Sequence, residues 1–245
     1  MAGTVVDWRQ ALESIDHPLA EQLYEDVDPY KTLEGLGMPT PLYVSFDSVN
    51  DFMSNPQEAL DGMSSQGVKK FYVGLRPTQP DLKKYRNVGL AVDDVVPYIN
   101  SVVEPDNRDN YALRVAENAA AIYGGTMIIN NSGLVHIEIV KGERLALGTG
   151  SVSPEFTART DQHTGIMKYD FDDTGLKHLV WRAVSLVPSM GENESGLGQK
   201  RLRGYYEFCI VDRNGQRPVF YEYNDSPINR VPEQKLFNGV ELSTD

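Results

Sequence analysis

Glu207, Glu222 and Asn224 fall within one stretch, GYYEFCIVDRNGQRPVFYEYNDSP at residues 204–227. Residues 205–211 are aromatic and β-branched, 212–215 carry turn chemistry, and 219–223 are strand-like again. The pattern predicts two short strands joined by a tight turn. Alternate residues on a strand share a face, so Glu222 and Asn224 project together. Glu207 joins them there if the strands pair across Asn214-Gly215. Two carboxylates and an amide oxygen on one face make a hard, all-oxygen donor set suited to Mg²⁺ held against phosphates. A surface hairpin with solvated acids is the other reading these residues allow.

Further residues bear on such a site. Arg76 follows the strand-like run VKKFYVGL, where it either meets a phosphate or makes a surface salt bridge. Lys31 lies on a short helical stretch, and Glu117 sits in a mainly apolar strand, facing a pocket or paired with Arg114. Lys200, Arg201 and Arg203 adjoin the first strand of the hairpin and offer charge to a polyphosphate or an acidic substrate. His136 and Glu138 alternate and should share a sheet face, but a metal would need a third ligand that the sequence does not supply. Gly124-Gly125 reads as a tight hairpin or bulge, or as a close backbone approach to phosphate. The cluster KKYR at residues 83–86, with Lys69 and Lys70 upstream, reads as a solvated basic face or as one that steers a phosphorylated ligand, and His17, His163 and His178 as structural.

The elements that must position these groups interleave helices with antiparallel hairpins. A helical stretch spans residues 8–30, interrupted at Pro18, and a short helix at 31–36 stops at Gly37. Strand 42–46 follows the Pro39–Pro41 pair, then a helix over 49–63 capped by Ser48 or Asn50. Strand 68–75 leads into a polar loop at 78–89 and a helix at 92–103. Strands are expected at 111–118, 126–130 and 134–140, the last after the Asn131-Ser132-Gly133 turn. Residues 175–187 carry an apolar helical stripe, and 188–198 read as a flexible loop. The class is α+β in two lobes, residues 1–104 and 105–245.

Composition narrows the partners. Against 35 acidic residues stand 23 Lys and Arg, a net charge of −12, which argues against a broad nucleic-acid surface because phosphate binding needs clustered cations. Cys209 is the single cysteine, so no intrachain disulfide framework exists, and its strand-like neighbours make it a core thiol. The N-terminus has no apolar run of the kind that opens a signal peptide, and no segment reaches the length of a membrane span. A cytoplasmic protein without a membrane partner is the expectation, with a homo-oligomer left open.

Several stretches resemble, in order, blocks of one family. LEGLGMPTPLYVSFDSVNDF, GLRPTQPDLKKYRNVGLAVDDVV and YALRVAENAAAIYGGTMIINNSGLVHIEIVKGERLALGTGSVSPE are similar to the ATP-binding domain of phosphoenolpyruvate synthase and pyruvate phosphate dikinase. The hairpin at 204–227 also resembles the wider ATP-grasp pattern, an acid on one strand followed by Glu-x-Asn on the next. The resemblance spans residues 31–227. It implies a two-lobed ATP-grasp-like fold with antiparallel sheets and flanking helices that uses ATP and Mg²⁺. Position by position it implies Lys31 and Arg76 as cations at the nucleotide and its phosphates, Glu117 at the adenine and ribose, and Glu207, Glu222 and Asn224 at the metal. Pro77-Thr78 stands where the family has a Ser-Ser pair, Pro29-Tyr30 precede Lys31 where it has glycines, and no glycine-rich phosphate loop is present. The length leaves no room for a swivelling phosphohistidine domain or a pyruvate-binding barrel. The implied activity is ATP-dependent phosphoryl transfer or carboxylate activation, of ligase or kinase type, onto a small-molecule or protein acceptor. A degenerate binding or assembly module without catalysis is the alternative.

Overall fold

The computed structural model describes residues 29–79, 81–142, 147, 152–160, 166–192, 199–212 and 215–224. The expected helical stretch over 8–28, His17, His163 and the Asn214 turn position lie outside these residues. The described elements run α1 (Pro29–Gly35), β1 (Tyr43–Phe46), α2 (Val49–Ser54), α3 (Pro56–Ser65), β2 (Phe71–Pro77) and β3 (Tyr85–Leu90). They continue with α4 (Val92–Val102), a 3-10 turn (Pro105–Asn110), β4 (Tyr111–Glu117), β5 (Ala121–Ile129) and β6 (Val135–Lys141). β7 (Phe156–Thr160), β8 (Met167–Tyr169), α5 (Thr174–Leu186), β9 (Ser189–Glu192), β10 (Gln199–Arg201), β11 (Gly204–Asp212) and β12 (Gln216–Asn224) complete them. The expected α+β class with antiparallel sheets and flanking helices is what the chain adopts.

The first sheet has the order β1-β4-β2-β3, with β2 antiparallel to both neighbours. Phe71, Val73 and Leu75 of β2 and Leu113 and Val115 of β4 alternate onto one face and are buried, as period-two side chains must be. They pack on Phe52 of α2, Leu60 and Met63 of α3, and Val95 and Ile99 of α4. The single helix expected over 49–63 is two. Ser48 caps α2 in a reciprocal capping box with Asp51, and Pro56, which has no N–H to give, ends that run and opens α3. The polar loop expected at 78–89 contains β3, an edge strand whose largely exposed side chains hid it from pattern reading.

The second sheet has the order β12-β11-β5-β6-β7-β8. Tyr206, Phe208 and Ile210 of β11, Met127 and Ile129 of β5, and Ile137 and Ile139 of β6 share one core with Leu176, Val180, Ala183 and Val184 of α5. The N-terminus of α5 is capped by Asp173, which accepts from the Leu176 N–H at 2.9 Å. At the other end Arg201 donates to the carbonyls of Ser185 at 3.1 Å and Val187 at 2.8 Å. Residues 189–192 of the expected loop form β9, which pairs with β10.

Gly124 and Gly125 make neither a turn nor a bulge between two strands, because β5 runs through them. Phe208 lies opposite Gly125, and a Cβ built there would stand 2.5 Å from Phe208 Cζ. The glycine makes room for an aromatic ring, and the close approach is to a side chain.

The sheets are joined covalently by residues 118–120, between β4 and β5. They are joined sterically by α1. The Tyr30 ring lies tilted 4.9 Å from Tyr43 of the first sheet and edge-on 6.3 Å from Tyr221 of the second, under the Arg114 guanidinium at 4.8 Å. The Phe220 N–H also donates to the Pro39 carbonyl at 2.8 Å.

Candidate functional site

β11 and β12 pair antiparallel, and Glu207 lies directly opposite Glu222, with Tyr205 opposite Asn224. The register reaches this arrangement through an irregularity. From Asp212↔Gln216 to Phe208↔Phe220 the strands pair one for one; the next pair is Glu207↔Glu222, so Tyr221 is an extra residue on β12. Such a bulge re-aims the side chains beyond it. Without it Glu222 would oppose Tyr206 and point into the core. With it Glu222 and Asn224 join Glu207 on the other face, and Tyr221 packs toward Tyr30 of α1.

Glu207 is half-buried and Glu222 exposed. Side chains directly opposite on an antiparallel pair have Cβ atoms about 4.5–5.5 Å apart, and like charges there repel. The Tyr205 phenol donates to Glu207 Oε1 at 2.9 Å. No group of three His, Cys, Asp or Glu residues able to hold a metal gathers among the described residues. The donor set is two carboxylates and one amide. Hard oxygens of this kind are the donors that divalent cations such as Mg²⁺ take.

The same face continues across the sheet. Glu207 is opposite Thr126, Thr126 opposite Glu138, and Glu138 opposite Thr157, one polar row over five strands from Glu222. His136 Nε2 and Glu138 Oε1 are 3.5 Å apart, so the pair shares a face as expected, and the imidazole holds the Glu138 carboxyl below its usual range. Cys209 is buried beside Val211 and Val219 and acts as a core thiol.

The remaining candidates lie on other elements. Arg76 is exposed on the first sheet, at the end of β2 and opposite Ala112. Pattern reading missed that Arg114 and Arg86, opposite Gly74 on either side, share its face; the alternation of β2 against Phe71, Val73 and Leu75 was the available signal. Lys31 is exposed on α1, next to Tyr30. Glu117, 9% exposed, ends β4, where its Oε2 accepts from the Leu42 N–H at 3.4 Å and its own N–H donates to the Leu42 carbonyl at 2.7 Å. Arg203 is exposed and donates to Asn131 Oδ1 at 2.9 Å, on the turn before β6. No helix among the described residues is long and apolar enough to cross a membrane.

No family model matches the chain, and no curated protein matches it. Solved structures similar to it include N5-carboxyaminoimidazole synthase from Aspergillus clavatus in complex with ADP, at 11% identity and TM-score 0.36 over 80% of this chain and 43% of that one. VanG D-Ala:D-Ser ligase from Enterococcus faecalis is 13% identical, with TM-score 0.38 over 88% of this chain and 56% of that one. The ATP-grasp ligase PsnB, solved with a minimal precursor, Mg and ADP, is 14% identical, with TM-score 0.34 over 85% and 52%. The chain spans about half the length of these structures.

Proposed function

We propose that this chain binds Mg-ATP in an ATP-grasp-like manner and uses it for phosphoryl transfer or carboxylate activation onto an acceptor not yet defined. One observation carries the reading: the Tyr221 bulge sets Glu222 and Asn224 on the same face of the ladder as Glu207. A bulge that turns a charged side chain from the core side to the open side is a device found beside active sites. In this reading Glu207, Glu222 and Asn224 hold Mg²⁺, which supplies charge neutralisation at the phosphates. Arg76 and Lys31 add positive charge from the first sheet and α1, Arg203 from the start of β11, and Glu117 borders the nucleoside where the chain crosses between sheets. Phosphoryl transfer needs little more from a protein than such positioning and neutralisation.

The test is a melting experiment followed by product analysis. Ligand at about 100 times its dissociation constant stabilises a fold by roughly 2.7 kcal/mol, so millimolar ATP with Mg²⁺ should raise the melting temperature clearly, and ATP without the metal less. Release of ADP with added acceptor identifies ligase or kinase chemistry, and AMP with phosphate the dikinase type. A shift without turnover identifies a binding module that has no catalysis. No shift with any Mg-nucleotide overturns the reading.

A further inference from the structure

The open face of the first sheet, away from its helices, gathers three arginines. Phe71, Val73 and Leu75 of β2 point into the core, so Gly74 and Arg76 point the other way. Gly74 is flanked in register by Arg114 of β4 and Arg86 of β3, and Arg76 follows two residues along β2. Neighbouring strands lie about 4.8 Å apart, so the Arg114 and Arg86 backbones stand roughly 10 Å from each other across a residue without a side chain. The Tyr72 phenol folds into that gap, since a Cβ built on Gly74 would stand 2.6 Å from its oxygen. Arg114 is held by Tyr30, whose ring lies 4.8 Å from the guanidinium centre. A guanidinium carries its five N–H donors around its rim, and a ring against its flat side does not use them.

Charge on the two sides of this sheet has opposite sign. α2, α3 and α4 contain no Lys or Arg, and with the 3-10 turn they expose Asp51, Glu58, Asp61, Asp93, Asp94 and Asp106. In a chain of net charge −12, an anion is repelled from the helical side and drawn to the arginines. We infer that this open face is an oligophosphate site that works without a metal, with Arg86, Arg114 and Arg76 as its donors. Of these only Arg76 enters the reading above, and the site does not depend on the hairpin carboxylates. The residue type names the ligand class. Planar guanidinium forks match pairs of phosphate oxygens. Three forks on one small patch suit a compact anion with several phosphoryl groups rather than an extended nucleic-acid backbone, which needs cations spread along its length.

The experiment titrates the full chain with inorganic triphosphate by calorimetry, with a chelator present, for the wild type, Arg86→Gln, Arg86→Lys and Lys177→Gln. Arg86 is exposed on an edge strand, and melting without ligand checks that each variant is folded. Arg86→Gln should weaken triphosphate binding by about tenfold or more. Arg86→Lys keeps the charge and loses the fork, so it should fall between. Lys177→Gln makes the same charge change on α5 and should match the wild type. Metal-free ATP in competition tells the sources apart: displacement of triphosphate assigns the site to a nucleotide's phosphates, and its absence to a free inorganic oligophosphate. No triphosphate binding by the wild type at millimolar concentration overturns the inference, and so does wild-type affinity in Arg86→Gln. Equal weakening in Arg86→Gln and Lys177→Gln overturns it as well, since net charge would then be responsible. Arg86-dependent triphosphate binding, together with an ATP effect on melting that Mg²⁺ does not increase, keeps this site and counts against the hairpin reading. A Mg²⁺-dependent ATP shift without Arg86-dependent triphosphate binding removes this site alone.

Discussion

Glu222 stands directly across from Glu207 because Tyr221 is an extra residue in the β11–β12 ladder. The opposition of two carboxylates is unfavourable by itself, and the proposed cation would relieve it. Glu222→Gln keeps the shape and removes one charge. Stability without ligand should hold or rise, since the repulsion is relieved, while affinity for Mg-ATP should fall at least about tenfold. Paired melting and binding measurements decide it. Lost stability with intact Mg-ATP binding would mean that Glu222 is a structural partner. Arg201 and Arg203 are committed elsewhere, to the end of α5 and to Asn131.

Gly125→Ala should destabilise the fold. Its Cβ would stand 2.5 Å from Cζ and 2.8 Å from Cε1 of Phe208, a fully buried ring locked against Phe220 at 5.9 Å between centroids. Forcing extra volume into a packed core typically costs about 1–3 kcal/mol. A urea midpoint shifted down by that amount is expected, and shortening Phe208 to Leu in the same chain should recover part of the loss. A neutral Gly125→Ala would show that the ring moves aside freely.

Arg201 secures the C-terminus of α5, where burial holds its guanidinium below the usual arginine range. Carbonyls at a helix end lack intrahelical donors, and a cation there also opposes the helix dipole. Because the site is partly open to solvent, Arg201→Met should cost about 1–2 kcal/mol, rather than the full value of two charged hydrogen bonds. Hydrogen exchange should quicken first in the last turn of α5. Uniform exchange along the helix would argue against the cap.

The His136–Glu138 pair predicts an acid-side pH dependence. The groups facing Glu138 across its row are Thr126 and Thr157, and Arg159 faces His136 from β7. Glu138 is lowered chiefly by its hydrogen bond to His136, against the opposing effect of burial. As pH falls the unfolded chain therefore takes up this proton before the folded one. The stabilisation is complete above the ordinary glutamate range and is lost as pH drops through the lowered folded value. Wild type and Glu138→Gln should differ in melting temperature near neutral pH and converge below that range. A gap that persists into strong acid would assign the effect to shape rather than charge.

The sequence by itself determined the local elements and the kind of chemistry on offer. Aromatic and β-branched runs marked β11 and β12, the apolar stripe marked α5, and Glu207, Glu222 and Asn224 carried the hard-oxygen donor set. These are short-range signals, written in residue type and in periods of two and 3.6. Only the tertiary structure decided on which face Glu222 would emerge. A strand of alternating side chains reverses its faces with a shift of one residue, and the bulge at Tyr221 makes that shift. Tyr221 packs edge-on against Tyr30, which lies 191 positions earlier in the chain. Gly125 likewise reads as a turn until Phe208 arrives opposite it, and β3 reads as loop until β2 pairs with it. Pairing across sequence distance is paid for only when the partners meet, and no local pattern records it.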